Sequence, residues 1–280
     1  MILTISDVER RAGIFTGDRL EQAIAAVRRD GYVVIVGAID PAHIAALRAR
    51  MDSDMRLALA DGGETRVSVA PPREAELLFA DVMGNRFAVA VLEGVMGREV
   101  VCGAYTSNIN GPGAPEQELH IDNAARTADD PGDYPTRCMI VNIPLIDFTA
   151  ENGATELWPG THVIPAEIGT RWITAAQQAE RGAVERPIRA CMPAGSILLR
   201  DERLWHRARA NATTTIRAML GFIVNGGFDA ARETPDRIPC IGPVPRATAG
   251  FFAALPIRYN PRFVDGPVDN RCLDRLGGMT

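Results

Sequence analysis

From about residue 98 onward the chain is a succession of short apolar and β-branched runs, each bounded by glycine, proline or asparagine. They fall at residues 100–109, 116–121, 137–145, 188–191, 196–199, 206–210 and 216–224. A run of this length cannot bury its own apolar face and must pair with neighbours. Many short strands separated by turn signals predict an antiparallel sandwich or barrel. The chain before this point has a different texture. Leu20, Ile24 and Val27 share one helical face, and Asp30-Gly31 ends that helix. Residues 32–36 are an apolar run that predicts a strand. Asp40-Pro41 has an N-cap residue followed by proline at the first helical position. The helix it starts runs through Ile44, Leu47 and Met51 to about Ala60, where Asp61-Gly62-Gly63 breaks it. Pro71-Pro72 predicts a loop, and residues 79–95 a third helix that tolerates Gly84. The expectation is an all-β core with flanking helices (α+β), in one domain. Residues 1–98 form a helical layer, 99–226 the core, and 227–280 a Pro- and Arg-rich extension suited to covering the mouth of the core or a partner subunit. A homodimer is therefore among the expected assemblies.

Composition narrows the function classes. Of 280 residues, 46% are apolar, enough for a sizeable core. The net charge is −5 with both signs interspersed, which points to no nucleic-acid partner. Lysine is absent and arginine supplies every basic side chain. The cysteines, Cys102, Cys138, Cys191, Cys240 and Cys272, are scattered and lack a C-x-x-C pair. Neither a disulfide framework nor a zinc site is expected, and a reducing cytoplasm fits best. The first residues lack the basic start and long apolar run of a signal peptide, and no run reaches the length of a membrane span.

The chemistry concentrates in Gln117-Glu118-Leu119-His120-Ile121-Asp122-Asn123. Positions two apart on a strand share a face, so His120 and Asp122 can aim an imidazole nitrogen and a carboxylate oxygen at one point. That is two thirds of the 2-His-1-carboxylate facial triad of non-haem Fe(II) oxygenases. His206 opens a later strand after Ser196-Ile197-Leu198-Leu199-Arg200-Asp201, and a barrel would make these distant strands neighbours. Arg217 follows past a turn at Asn211-Ala212-Thr213-Thr214, so a hairpin is expected to lay strand 216–224 beside strand 206–210. Its planar guanidinium suits a bidentate carboxylate. His43, early in a helix, is expected to be structural. Residues 123–135 are polar and rich in Pro and Gly, a candidate lid.

With these four residues in place the sequence resembles the phytanoyl-CoA dioxygenase family of Fe(II)/2-oxoglutarate-dependent oxygenases. The His-x-Asp, the downstream His and the Arg about ten residues beyond carry the resemblance. So do Asn152-Gly153-Ala154-Thr155…Pro159-Gly160-Thr161-His162 and the Ala194-to-Ala208 stretch, within about residues 20–225. The resemblance implies a double-stranded β-helix, or jelly-roll, cupin-like barrel. It implies Fe(II) on His120, Asp122 and His206, and the distal carboxylate of 2-oxoglutarate on Arg217. Gln117 and Thr155 match positions that contact the cosubstrate in relatives. His162 matches the motif, and we assign it a structural role. Related halogenases replace the carboxylate with Gly or Ala; Asp122 therefore disfavours halogenation.

The implied reaction is oxidation, foremost hydroxylation, of an unactivated C–H bond of a small molecule of specialised metabolism. O2 and 2-oxoglutarate become succinate and CO2. Tyr105, Asn108, Asn110, Tyr134 and Arg137 flank the motif as candidate substrate-facing residues. Cyclisation, desaturation or epimerisation by the same cofactor chemistry stays open, as do a cupin-like metalloenzyme without 2-oxoglutarate and a non-catalytic binding module.

Overall fold

The computed structural model describes residues 1–61, 63–122, 136–165, 169–226, 241–266 and 268. The expected lid at 123–135, including Tyr134, and residues 227–240 of the expected extension lie outside them. In chain order the elements are β1 (Ile2–Thr4), α1 (Asp7–Ala12), α2 (Arg19–Asp30), β2 (Tyr32–Val36), α3 (Pro41–Ala60), β3 (Arg66–Val67), α4 (Ala80–Met83), α5 (Arg86–Met96) and β4 (Val101–Asn110). There follow β5 (Cys138–Pro144), β6 (Thr155–Leu157), α6 (Ala175–Val184), β7 (Ile188–Arg189), β8 (Ile197–Asp201), β9 (His206–Ala208) and β10 (Arg217–Asn225). The last are β11 (Ile241–Pro245), α7 (Ala249–Ala253) and β12 (Pro261–Val264).

Seven strands form a large mixed sheet in the order β1-β2-β8-β5-β10-β4-β3, and β7-β6-β9 form a smaller one. All pairings within these two sheets are antiparallel except β1 with β2. The large sheet is covered on both faces, and its sequence alternation shows how. Val33, Ile35, Ile197, Leu199, Leu220, Phe222 and Val224 pack in one cluster with Leu47 and Met51 of α3 and Val91 and Leu92 of α5. Their neighbours Tyr32, Val34, Leu198 and Met219 point the other way and cluster with Leu157 of β6, Phe148 and Leu204. The second cluster joins the two sheets, which gives the double-stranded, cupin-like layering. Among the described residues the two sheets do not close into one barrel. Each buried Leu or Phe here contributes roughly 1.5–3 kcal/mol.

Local chemistry sets the element ends. Asp40 accepts from the Ala42 amide at 2.8 Å as N-cap of α3. The expected helix over 79–95 is split into α4 and α5. The Asn85 side chain accepts from the Phe87 and Ala88 amides at 3.1 and 3.3 Å, which starts a new helix just past Gly84. The backbone N–H groups thus find a side-chain acceptor where the periodicity predicted a helical carbonyl.

Two strand expectations need correction. Residues 116–121 form no continuous ladder; His120 alone bridges, to His206 on one side and Trp172 on the other. The expected hairpin does not form either. β9 pairs with β6 in the small sheet, while β10 lies between β5 and β4 in the large one. Asn211 makes the crossing: its Nδ2 donates to the carbonyls of Asn110, Gly111 and Thr215 at 3.2, 3.1 and 2.9 Å. A buried amide with three backbone acceptors fixes the chain as it leaves one sheet for the other.

Candidate metal centre

His120, Asp122 and His206 each offer a ligand atom, and these atoms lie within 4.8 Å of one another. Strand β9 of the small sheet places His206, and an isolated bridge sets His120 beside it. His120 and His206 exchange backbone hydrogen bonds of 3.1 and 2.9 Å, so their rings sit side by side, 4.4 Å between centroids. Asp122 follows two residues on, its amide bonded to the Glu202 carbonyl at 3.0 Å.

The donor set fits a divalent metal, and the second nitrogen of each ring is the test. His120 Nδ1 lies 2.8 Å from the Glu118 carbonyl and His206 Nδ1 2.9 Å from the Leu204 carbonyl. A carbonyl only accepts, so each ring donates from Nδ1, and Nε2 is the nitrogen left to ligate. Burial, then the adjacent His206, pulls His120 down to about 3, and the neutral ring is the form that ligates. Burial alone would raise the Asp122 pKa, but the Arg200 guanidinium and His206 outweigh it and hold the carboxyl well below its usual range.

The large sheet faces this centre with polar side chains. Strand alternation puts Arg200 on the same side as Leu198, and Asn142, Asn110 and Arg217 on the side of Met219. Arg217 is 1% exposed. Its Nε and Nη1 have no hydrogen-bond partner among the described residues. Its guanidinium carbon lies 4.6 Å from the centroid of the Phe148 ring. Burial, with Arg66 and Arg189 adding, lowers its pKa to about 10. Arg66, Asn110 and Arg217 are Cα partners in a row across β3, β4 and β10. Arg66 Nε and Asn110 Nδ2 are also buried without a partner. Buried donors in a row with no partner among the described residues suit an anion.

The other sequence candidates divide. Thr155, buried in β6, shares the inward face of Leu157, His206 and Ala208. Gln117 lies beside β9, its Oε1 accepting from the Ala208 amide at 3.0 Å. Asn108 shares the inward face through its register with Met219 and is exposed. Tyr105 does not face the site. An odd number of residues from Asn108, it points to the opposite face, where it stacks on Phe222 at 4.7 Å inside the helix-covered core. Arg137 is partly buried just before β5, with its carbonyl accepting from the Gly226 amide at 2.7 Å. His162 is 2% exposed, with Nε2 3.3 Å from the Arg28 carbonyl, and His43 pairs with Asp81 at 2.8 Å. Neither belongs to the cluster of candidate ligands. The sequence reading missed Arg200, Asn142, Arg66 and the half-exposed Trp172, whose ring lies 5.7 Å from His120. For Arg200 a signal existed: the alternation along residues 197–201 puts it inward. In a chain whose only basic side chain besides histidine is arginine, it did not stand out.

A facing pair of sheets with a His-Asp-His cluster is the architecture of the non-haem iron dioxygenases that use 2-oxoglutarate. The profile of the family described as Phytanoyl-CoA dioxygenase (PhyH) matches residues 27–219, and the chain belongs to that family. Multifunctional dioxygenase prhA of Penicillium brasilianum is 28% identical over 78% of this chain and 80% of its own length. EctD of S. alaskensis, in a crystal structure with 2-oxoglutarate and 5-hydroxyectoine, superposes with a TM-score of 0.59; it is 20% identical, over 76% of this chain and 77% of EctD. The epimerase SnoN from nogalamycin biosynthesis gives 0.55 at 18% identity, over 74% of this chain and 83% of SnoN. Among the described residues no helix is long and apolar enough to cross a membrane.

Proposed function

We propose that the protein hydroxylates an unactivated C–H bond of a small molecule, with 2-oxoglutarate and O2 converted to succinate and CO2. His120 and His206 would hold Fe(II) through Nε2 and Asp122 through a carboxylate oxygen. When bound, the iron supplies the O2 activation that no protein side chain provides. The chain's own residues bind, orient and exclude water. Arg217, with Asn110 and Arg66 in line, takes the distal carboxylate of 2-oxoglutarate. Gln117, its oxygen committed to β9, offers its Nε2 to the same molecule, and Thr155 its hydroxyl. Asn108 faces the small-molecule substrate.

The observation that carries this reading is the Arg217 guanidinium, buried on the inward face with two nitrogens that have no partner among the described residues. A buried charge without a partner is strongly unfavourable unless a ligand completes it. A dicarboxylate cosubstrate does so with a bidentate pair. The relationship to prhA, a dioxygenase by name, supports the reaction class. Anaerobic Fe(II) and 2-oxoglutarate should give a weak visible charge-transfer band in the wild type, and substrate should then release succinate. A folded protein that shows neither the band nor O2-dependent succinate sinks the reading. A product lacking an inserted hydroxyl would instead assign the same centre to cyclisation, desaturation or epimerisation.

A further inference from the structure

The two oxygens of Asp122 have different surroundings. Oδ1 lies 3.4 Å from His206 Nε2, inside the candidate ligand cluster. Oδ2 accepts a 2.6 Å hydrogen bond from Arg200 Nη1. Arg200 is 5% exposed, and its Nε donates to Asn142 Oδ1 at 3.3 Å. The guanidinium is thus held at one end by Asn142 of the neighbouring strand and at the other by Asp122. Its side chain reaches across the gap between the sheets to a residue 78 positions away in sequence.

We propose that Arg200 restricts Asp122 to ligation through Oδ1 alone and so keeps a coordination position free for the cosubstrate. The inference rests on the metal reading above. A carboxylate can bind a metal through one oxygen or both. Three single-atom ligands leave three positions on a six-coordinate iron, and an incoming 2-oxo acid needs two of them, with O2 needing the third. An Asp122 that chelated through both oxygens would fill one of these. A short, charge-assisted bond from a buried guanidinium occupies Oδ2. Arginine suits the task better than lysine because its planar fork also engages Asn142 and so cannot swing away. Arg200 is then a positioning residue. It sits beside the metal carboxylate, and its positive charge weakens attraction for the metal rather than adding to it. An arginine selected only for metal affinity would be misplaced here.

The test uses Co(II) in place of iron, so that no turnover is needed. Titration calorimetry on the full chain gives Co(II) affinity, then 2-oxoglutarate affinity for the Co(II) form. In Arg200→Met we expect Co(II) affinity equal to or tighter than wild type, with a clear loss of 2-oxoglutarate affinity. Arg200→Lys, still able to donate to Oδ2 but without the hold on Asn142, should restore part of the cosubstrate affinity. If Arg200→Met does not fold by circular dichroism, Arg200→Gln is read in the same way. Loss of Co(II) and 2-oxoglutarate affinity together would make Arg200 a general structural strut and overturn the proposal, as would no change in either. Failure of the wild type to bind Co(II) would overturn the metal reading itself, a separable outcome.

Discussion

His120 and His206 are a hydrogen-bonded cross-strand pair: each backbone amide donates to the other's carbonyl, at 3.1 and 2.9 Å. The pairing places two imidazoles on one side of the small sheet, with Asp122 two residues along. A cross-strand pair of this kind is rigid, which suits ligands that must keep a fixed separation.

Removing one member of this pair should therefore abolish metal binding without unfolding the protein. In His206→Ala the anaerobic Fe(II) and 2-oxoglutarate band is expected to vanish. The far-ultraviolet circular dichroism should be retained, because the backbone bonds to His120 do not involve the side chain. Absorbance and circular dichroism on the same sample check both halves.

Arg217 carries opposite consequences for stability and binding. In Arg217→Met the ligand-free protein is expected to gain ~1–3 kcal/mol, since an unpartnered buried charge is replaced by an apolar side chain of similar length. Addition of 2-oxoglutarate at about 100 times its Kd should stabilise the metal-loaded wild type by about 2.7 kcal/mol and the variant hardly at all. Chemical denaturation with and without 2-oxoglutarate measures both.

The metal-free protein should weaken as pH falls below neutrality. The folded-state pKa of His120, about 3, lies below the unfolded value of about 6.5. Between these values the unfolded chain binds a proton that the folded chain refuses. His120 thus costs nothing above about pH 6.5, and stability falls progressively from there towards pH 3, by at most about 1.4 kcal/mol per pH unit. The depressed Asp122 pKa acts in the same direction at lower pH. The expected outcome is a Tm at pH 5 below that at pH 7.5, with a smaller drop in His120→Gln.

Gly153 lies in the Asn152-Gly153-Ala154-Thr155 motif at φ +82°, and an added Cβ would stand 2.4 Å from the Arg209 carbonyl oxygen. That oxygen is backbone and cannot swing aside. Gly153→Ala is expected to cost ~1–3 kcal/mol or more. It should also weaken 2-oxoglutarate binding, because Thr155 enters the inward face two residues later. Denaturation and cosubstrate titration together separate this from a change in Thr155 alone.

Much of the site was legible because its signals are local. His-x-Asp reads directly as two side chains on one face, and the Nδ1 acceptors of both histidines are carbonyls two residues back, set by the same extended backbone. The caps at Asp40 and the strand runs 100–109, 137–145 and 216–224 follow from propensity and alternation over a few residues. Tyr105 shows the limit of reading by proximity. It lies closer in sequence to the motif than Arg200 or Arg217 does, yet strand alternation turns it into the core. The helix over 79–95 failed for a related reason: a single side-chain cap at Asn85 overrode the periodicity.

By itself, then, the sequence determined the ligand types, the alternating faces and the order of helices before strands. These depend on covalent spacing and on side chains that act within a turn or a pleat. Only the tertiary structure decided that β9 and β10 belong to opposite sheets, that Arg217 reaches inward from across the gap, and that Arg200 grips one oxygen of Asp122. Those arrangements depend on which distant strands pair, and pairing is settled by the summed burial of two apolar faces and by crossings such as Asn211. No stretch of the chain carries that information alone.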